Sequence, residues 1–232
     1  MRAILMAAGM GTRLRPLTEN TPKSLIEVNG MPLLERQIIN LREIGVEEII
    51  VLTGYLHEKF DDIVKKYNLI KVVNDKYDVY NNIYTMYLVR DYLKDAFVID
   101  ADNYITRNFL PKVQPKTSVY YSACKENITG EWILKYTETG RIYDVEIAPK
   151  NSKANYIMSG ASYWTEKDGK IISEKVKKAV EEDKLFDIYW DNIAVENYDN
   201  MNVYIEKINS DDIFEIDTLE DLDYLKSKLN NM

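Results

Sequence analysis

The chain has 232 residues, enough for one large domain or for one domain with a small lobe. Its net charge of −8 and pI near 4.9 argue against nucleic acid as a partner, because an acidic surface repels phosphates. No stretch reaches the roughly 20 apolar residues of a membrane span, and the opening residues predict a strand rather than a signal peptide. The single cysteine, Cys124, has no partner for an internal disulfide, so we expect a protein of the reducing cytoplasm.

The first part of the chain alternates short apolar runs with helical patterns. Strands are predicted at 2–6, 48–53, 70–74 and 96–99. Helices are predicted from Pro32, over 56–67 and over 82–93. This alternation predicts a parallel sheet with helices on both faces.

From Thr117 the pattern changes to alternating apolar and polar residues. Antiparallel strands are predicted at 117–124, 131–137, 141–147 and 155–164. Helices at 170–182 and 186–197, strands near 202–207 and 213–216, and a helix from Thr218 complete the chain. We therefore expect one α/β domain over 1–232, with a Rossmann-like, mixed but mainly parallel central sheet flanked by helices. Its halves are 1–116 and a smaller, antiparallel portion within 117–232.

The first predicted strand runs into a segment that reads Ala-Ala-Gly-Met-Gly-Thr-Arg-Leu-Arg-Pro (residues 7–16). Gly9 and Gly11 lack a Cβ, so they can take φ > 0 and turn their N–H groups toward an anion. Arg13 and Lys23 add cationic donors. The spacing excludes a P-loop, and Leu14 stands where a dinucleotide fingerprint needs a third glycine. An ordinary Gly-rich turn is the alternative, but the spacing of these glycine and basic residues favours a loop that holds a nucleoside triphosphate.

This segment, followed by Pro22 and Lys23, resembles the signature of the nucleotidyltransferases that make nucleotide sugars and related activated alcohols. The resemblance implies the nucleotide-diphospho-sugar transferase fold, with 1–116 binding the nucleotide and 117–232 binding the acceptor. It implies Arg13 and Lys23 as catalytic residues and nucleotide contacts at Ala7, Ala8, Gly9, Gly11, Thr12, Arg13 and Lys23. Chain length and later segments are most similar to bacterial CTP:phosphocholine cytidylyltransferases, so CTP, phosphocholine and Mg²⁺ are the expected ligands.

Acidic residues end two of the predicted strands. Asp100 and Asp102 follow the strand at 96–99, at the edge of a parallel sheet that faces the ligand crevice. Asp217 ends a later apolar run, and from the residues alone the favoured interpretation is that it opens the last helix. The family resemblance instead assigns metal binding to Asp102 and Asp217, with Asp100 in support. Mg²⁺ usually takes one or two carboxylates together with substrate phosphates.

Two of the three tryptophans lie in acidic surroundings, in Glu131-Trp132 and in Tyr189-Trp190-Asp191. Aromatic faces beside a negative charge are a common way to recognise a quaternary ammonium group. From composition alone, ordinary core or surface aromatics are the favoured interpretation. The resemblance to the phosphocholine cytidylyltransferases assigns Trp132, Tyr189 and Asp191 to the acceptor, with Trp190 and Glu131 as further candidates.

The segment 77–84 also resembles the phosphocholine enzymes. It departs from the Gly-Thr-Ala stretch that the wider family has near the base, which makes sugar substrates less expected. On this resemblance we expect Asn82 and Thr85 to lie near the nucleotide. The choice of cytosine over uracil rests on resemblance alone.

The expected reaction joins phosphocholine to CTP and gives CDP-choline and pyrophosphate by in-line attack on the α-phosphorus. A phosphomonoester has a second pKa of about 6, so its oxygen needs no general base at neutral pH. His57, the only histidine, is accordingly interpreted as a structural or surface residue. The alternatives are a cytidylyltransferase for phosphoethanolamine or an aminoalkylphosphonate, a sugar-1-phosphate nucleotidyltransferase, and a catalytically silent nucleotide-binding module. The sequence gives no basis for an oligomeric state.

Overall fold

The computed structural model describes residues 1–230. Its strands are β1 (Arg2–Ala7), β2 (Glu27–Val28), β3 (Met31–Pro32), β4 (Glu48–Thr53), β5 (Ile70–Val73), β6 (Ala96–Asp100), β7 (Asn103–Ile105), β8 (Ser118–Lys125), β9 (Trp132–Tyr136), β10 (Ile142–Ile147), β11 (Asn155–Tyr156), β12 (Ala161–Trp164), β13 (Val203–Ile208) and β14 (Ile213–Glu215). Its helices are α1 (Leu33–Glu43), α2 (Asp61–Tyr67), α3 (Asn82–Val89), α4 (Glu166–Glu181), α5 (Trp190–Val195) and α6 (Leu219–Leu229).

The central sheet has eight strands, with β1 between β4 and β6 and parallel to both. β5 extends the parallel part beyond β4, and β13 lies parallel to β8. β12 pairs antiparallel with both β6 and β8, so strands from both halves share one sheet. The pairs β9–β10, β7–β14 and β2–β3 form small antiparallel sheets. The predicted fold class is therefore confirmed.

Alternate residues of β1 enter hydrophobic cores on opposite faces of the sheet. Ala3 and Leu5 belong to one cluster with Ile38 of α1, whereas Ile4 belongs to another with Ile172 of α4. Helices therefore cover both faces, which explains why β1 reads as a continuous apolar run rather than an alternating one. The rim where β1 and β6 end is left to carry polar residues.

Several predicted boundaries are wrong. The helix predicted at 186–197 is confined to α5, because Tyr189 has an extended backbone and is the N-cap of that helix. The strand predicted at 155–164 is split into β11 and β12, since Gly160 turns with φ +66°. The helices predicted at 56–67 and 82–93 are shorter, and 3₁₀ turns occupy 57–60 and 90–92.

The predicted single domain covers 1–232, of which 231–232 lie outside the described residues. The hydrogen bonding of β12 to β6 supports one domain, but the division at 116 stays a prediction. Among the described residues, no helix combines the length and apolar character needed to cross a membrane.

Candidate functional site

The loop after β1 turns through Gly11. Gly11 has φ +60°, and a Cβ there would lie 2.9 Å from the Cβ of Lys23. Glycine is therefore needed both for the backbone conformation and for the close approach of Lys23. Gly9 is not among the residues with positive φ, so the expected left-handed backbone is found at Gly11 only. The hydroxyl of Thr18 donates to the carbonyl oxygen of Gly11 at 2.8 Å and holds the loop closed.

Lys23 lies between two of the predicted carboxylates. Its Nζ donates to Oδ2 of Asp102 at 2.6 Å and to Oδ1 of Asp217 at 2.5 Å. Arg13 pairs with the other oxygen of Asp217 at 2.8 Å. The two catalytic candidates and the two metal candidates therefore form one charged cluster.

The pairing of β7 with β14 brings Asp102, from the middle of the chain, next to Asp217 near its C-terminal end. Asn103 is opposite Glu215 in this pair, and the N–H of Ile216 donates to the carbonyl oxygen of Asp102 at 3.2 Å. The last helix is capped by Thr218, whose hydroxyl accepts from the N–H of Asp221. Asp217 therefore does not serve as the helix cap, and its carboxylate faces the cluster.

Glu215 is a third carboxylate that the sequence analysis missed. One oxygen each from Asp102, Glu215 and Asp217 lie within 4.8 Å of one another. Glu215 and Asp217 have the same Glu/Asp-x-Asp spacing as Asp100 and Asp102. This repeated spacing could have identified Glu215 from the sequence. Oδ1 of Asp102 is buried and has no hydrogen-bond partner among the described residues. An all-oxygen donor set with a free buried oxygen suits a hard divalent cation.

The electrostatics of this cluster are those of tightly held ion pairs. Burial opposes the charge on Lys23, but Asp102 and Asp217 outweigh it and raise the lysine pKa. Burial also opposes the charge on Asp217, and there Lys23 and Arg13 prevail and lower the pKa of the carboxyl. Glu215 is an exposed residue, but its carboxyl group is largely surrounded by protein atoms. This burial of the carboxyl group, and then the charges of Asp102 and Asp217, raise the pKa of Glu215 to about 8.

Asp100 lies on the floor of the same cleft. Its Oδ2 is so near Gly160 that a Cβ on that residue would lie 2.5 Å away. Burial, and then the neighbouring Asp102 and Asp191, raise the pKa of Asp100 well above its usual range. Asp100 therefore connects the charged cluster to the second group of predicted residues around Asp191.

One cleft of about 560 Å³ brings most of the predicted residues together. Those that line it are Ala8, Gly9, Gly11, Thr12, Arg13, Lys23, Asn82, Thr85, Asp102, Glu131, Trp132, Tyr189, Trp190, Asp191 and Asp217. Ala7 does not line it, because its side chain packs in the core below β1. His57 does not line it either and begins a 3₁₀ turn elsewhere.

Asn82 and Thr85 lie in the first turn of α3. The hydroxyl of Thr85 is buried and accepts from Nδ2 of Asn74 at 3.0 Å. Oδ1 of Asn82 accepts from the backbone N–H of Trp190 at 2.8 Å. The side-chain oxygen of Asn82 is therefore engaged with the segment predicted to bind the acceptor.

The far end of the cleft is aromatic. Trp132 and Tyr189 meet edge to face, with ring centroids 6.1 Å apart. Trp190 is 3% exposed and packs edge to face on Trp164, so it is mainly a core residue that borders the cleft. Tyr189 is 51% exposed and can therefore turn its ring toward a ligand.

Asp191 is the acidic group of this end, whereas Glu131, which precedes Trp132, interacts electrostatically with Asp217 and Arg13 of the loop end. The hydroxyl of Tyr120 donates to Oδ1 of Asp191 at 3.1 Å. Burial raises the pKa of Asp191 to about 7 despite that hydrogen bond, and burial followed by Asp217 raises the pKa of Glu131. Tyr120 was missed by the sequence analysis, and nothing distinguished it among eighteen tyrosines.

Sequence comparison assigns the class of protein. The sequence model of the Nucleotidyl transferase family matches residues 2–213. The chain belongs to this family, and the resemblance that its loop predicted is confirmed. The aligned residues include the loop, Lys23 and Asp102 together.

Several cytidylyltransferases of this family are similar to the chain over most of its length. The choline-phosphate cytidylyltransferase of Streptococcus pneumoniae is 42% identical over 231 residues, which cover 100% of this chain and 99% of that protein. The 2-aminoethylphosphonate cytidylyltransferase of Lancefieldella rimae is 33% identical, covering 95% of this chain and 89% of its own. A solved structure of CTP:phosphocholine cytidylyltransferase from S. pneumoniae (LicC) superposes with a TM-score of 0.93 at 42% identity, covering 98% of each chain.

Proposed function

We propose that this protein transfers CMP from CTP to phosphocholine, giving CDP-choline and pyrophosphate. The observation that carries the proposal is the division of charge within one cleft. Among residues 1–230, the basic side chains that line the cleft are Arg13 and Lys23, both at the loop end. The other end offers the rings of Trp132 and Tyr189 together with the carboxyl group of Asp191, which suits a cationic acceptor. The full-length similarity to choline-phosphate cytidylyltransferase supports the same substrate pair.

The loop end is proposed to bind the triphosphate. Backbone N–H groups from Ala8 to Thr12 would face the phosphates, as they do in other glycine-rich anion loops. Arg13 would hold the β- and γ-phosphates, and Lys23 the α-phosphate. Thr85 is proposed to contact the nucleotide from the opposite wall. The support is that all of these line one cleft with the carboxylate cluster.

Asp102 and Asp217 are proposed to hold Mg²⁺, with Glu215 as a further ligand. The support is their mutual spacing and the unpartnered oxygen of Asp102. When bound, Mg²⁺ would neutralise charge on the phosphates and leave them open to attack. Lys23 contacts Oδ2 of Asp102 and Oδ1 of Asp217, so the ammonium group and the metal would share these two carboxylates unless Lys23 turns to the phosphates.

The trimethylammonium group of phosphocholine is proposed to lie against Trp132 and Tyr189, near Asp191. Such a group has no N–H to donate, so ring faces and negative charge recognise it better than directed acceptors. This placement sends the acceptor phosphate toward the loop end. Its oxygen is already largely deprotonated, because the second pKa of a phosphomonoester is about 6. Positioning and charge neutralisation by Lys23 and Arg13 would then supply most of the rate.

A 2-aminoethylphosphonate acceptor is the second candidate. The observation in its favour is the 33% identity to a cytidylyltransferase named for that substrate. A primary ammonium group would need directed acceptors, and the carboxylates of Asp191 and Glu131 offer some. The ring pair of Trp132 and Tyr189 favours phosphocholine over it.

A panel assay tests the function. Pyrophosphate release is measured with Mg²⁺ across four nucleoside triphosphates, each with phosphocholine, phosphoethanolamine, 2-aminoethylphosphonate and glucose 1-phosphate. We expect the highest kcat/KM with CTP and phosphocholine, and an Asp102→Asn variant as the inactive control. Preference for UTP or for the sugar phosphate would contradict the proposal.

We also propose that the protein acts in the cytoplasm as a single domain. The cytoplasmic pool of CTP and the free thiol of Cys124 support the location. The shared sheet of β6 and β12 supports the single domain. Microscopy of a fluorescent fusion tests the location, which we expect to be cytoplasmic. Thermal unfolding tests the domain number, and we expect a single cooperative transition.

A further inference from the structure

The side chain of Asn82 connects the two ends of the cleft. Asn82 is the first residue of α3, on the wall where Thr85 lies, and it is half-buried. Its Oδ1 accepts from the backbone N–H of Trp190, 108 residues away, at 2.8 Å. Trp190 is the first residue of α5, so this hydrogen bond satisfies one of the N–H groups that a helix start leaves without an intrahelical partner.

The same two segments are joined at two more points. The backbone N–H of Asn81 donates to the carbonyl oxygen of Phe186 at 2.8 Å. The ring of Tyr80 stacks on that of Phe186 with centroids 4.2 Å apart and an interplanar angle of 19°. The start of α3 and the segment 186–191 therefore form one wall. Within this wall, the Asn82 bond is the contact nearest to Tyr189 and Asp191.

The start of α5 depends on side chains for its position. The helix has only six residues, and a helix this short is not stable by itself. Its first turn is held by Asn82 at Trp190, and by Oδ1 of Asn192, which accepts from the N–H of Tyr189 at 3.0 Å. Removing the Asn82 acceptor leaves the N–H of Trp190 without a side-chain partner and loosens the start of the helix at Tyr189, while Tyr120 still donates to Asp191.

We propose that Asn82 is a positioning residue that determines acceptor specificity. Its oxygen fixes Trp190 and thereby sets Tyr189 and Asp191 at the distance that a cationic acceptor requires. Attraction to a ring face holds only within about 6 Å of the centroid, so a small shift of Tyr189 is enough to lose it. This inference rests on the proposed function, and it gives Asn82 a role toward the acceptor rather than toward the nucleotide.

The test compares two substitutions that differ in one property. Asn82→Leu removes the acceptor for Trp190 at similar size, whereas Asn82→Asp keeps an oxygen in that place. With CTP and phosphocholine, we expect Asn82→Leu to raise the KM for phosphocholine about tenfold, as for loss of one partner of a partly buried hydrogen bond. The KM for CTP should change less than about twofold. Asn82→Asp should restore the phosphocholine KM to within about threefold of wild type.

A matched control lies at the other end of the same helix. Nδ2 of Asn197 donates to the carbonyl oxygen of Ile193 at 2.8 Å, and Asn197 does not line the cleft. Asn197→Leu should lower the melting temperature without changing the ratio of kcat/KM between phosphocholine and phosphoethanolamine. Asn82→Leu should lower that ratio. Asn82→Ser, whose hydroxyl is too short to reach Trp190, replaces Asn82→Leu if that variant does not fold.

Three results would overturn the inference. The first is a rise in the KM for CTP alone in Asn82→Leu, which would make Asn82 a nucleotide contact. The second is an equal loss in Asn82→Asp, and the third is an equal change of the ratio in Asn197→Leu. Wild-type protein that uses no cationic acceptor would instead contradict the proposed function, an outcome distinct from all three.

Discussion

The two ends of the cleft treat charge in opposite ways. At the loop end, Lys23 and Arg13 pair with Asp102 and Asp217. The pKa of Lys23 is raised and that of Asp217 is lowered, so these two groups stay charged. At the acceptor end, burial raises the pKa of Asp191 to about 7, and no basic side chain among the described residues of the cleft offsets it. The loop end carries its own cations.

This contrast indicates what each end lacks. A cluster of neutralised ion pairs can exchange its internal partners for phosphates and a metal with little change in local charge. A buried acid without a cationic partner gains most from a ligand that brings a positive charge. On this account, the acceptor supplies the missing cation.

Lys23 is the residue whose loss should cost most. Lys23→Met is expected to lower kcat by about 10²–10³, because the lysine stabilises charge that develops at the α-phosphate, and to change the phosphocholine KM little. Steady-state kinetics measure both constants. Lys59→Met, at an exposed lysine outside the cleft, is the control. A near-normal kcat with only a raised KM for CTP would contradict the role.

Trp132 should affect only the acceptor end. Trp132→Ala is expected to raise the KM for phosphocholine about tenfold through loss of the ring face, with the KM for CTP nearly constant. Tyr143→Ala changes an exposed aromatic residue on the paired strand β10 and should behave as wild type. Equal effects of the two variants would remove Trp132 from the proposed acceptor pocket.

Asp191 should make cation binding depend on pH. Its raised pKa leaves the carboxyl neutral below about pH 7, and a bound cation favours the ionised form, so affinity is lost as pH falls through 7. The inhibition constant of choline, whose charge is independent of pH, should rise about tenfold from pH 8 to pH 6.

Asp191→Asn provides the control for that pH profile. The amide has the same shape and no proton to exchange, so its profile should be much flatter than that of the wild type, with only the weaker influence of Asp100 and Glu215 remaining. Tyr120 and Tyr198, the hydroxyl-bearing neighbours of Asp191, remain protonated throughout this range because burial raises the pKa of both. An unchanged slope in Asp191→Asn would assign the titration to another group.

Glu215 is expected to have the smallest effect. Glu215→Gln should raise the Mg²⁺ concentration for half-maximal rate by about threefold, because a carboxamide oxygen remains as a weaker ligand, whereas Asp102→Asn should be inactive at every Mg²⁺ concentration. The measurement is the initial rate against Mg²⁺ at saturating CTP, with EDTA removing all activity. No change in metal dependence would exclude Glu215 from the metal site.

The sequence predicted the loop end better than the acceptor end, for a physical reason. Gly11 and Arg13 are close in sequence, so their spacing alone describes most of the phosphate loop. Asn82 was predicted from a resemblance, but as a nucleotide contact, and Tyr120 was not predicted. The hydrogen bonds of Asn82 to Trp190 and of Tyr120 to Asp191 form only when α3, β8 and α5 pack together, and no local pattern records that packing. Glu215 could have been identified from its Glu-x-Asp spacing. The start of α5 could not, because Phe186 before it is held by contacts with Tyr80 and Asn81, which are distant in sequence.

The central claim is that the acceptor end selects a quaternary ammonium group. Its most direct test is a competition in which wild-type protein receives CTP with equal concentrations of phosphocholine and 2-aminoethylphosphonate, and mass spectrometry counts the two products. The product ratio equals the ratio of the two kcat/KM values. We expect CDP-choline to exceed the phosphonate product by at least about tenfold. This factor corresponds to the free energy of about one cation–π contact with a quaternary ammonium group. An equal ratio, or an excess of the phosphonate product, would contradict the account.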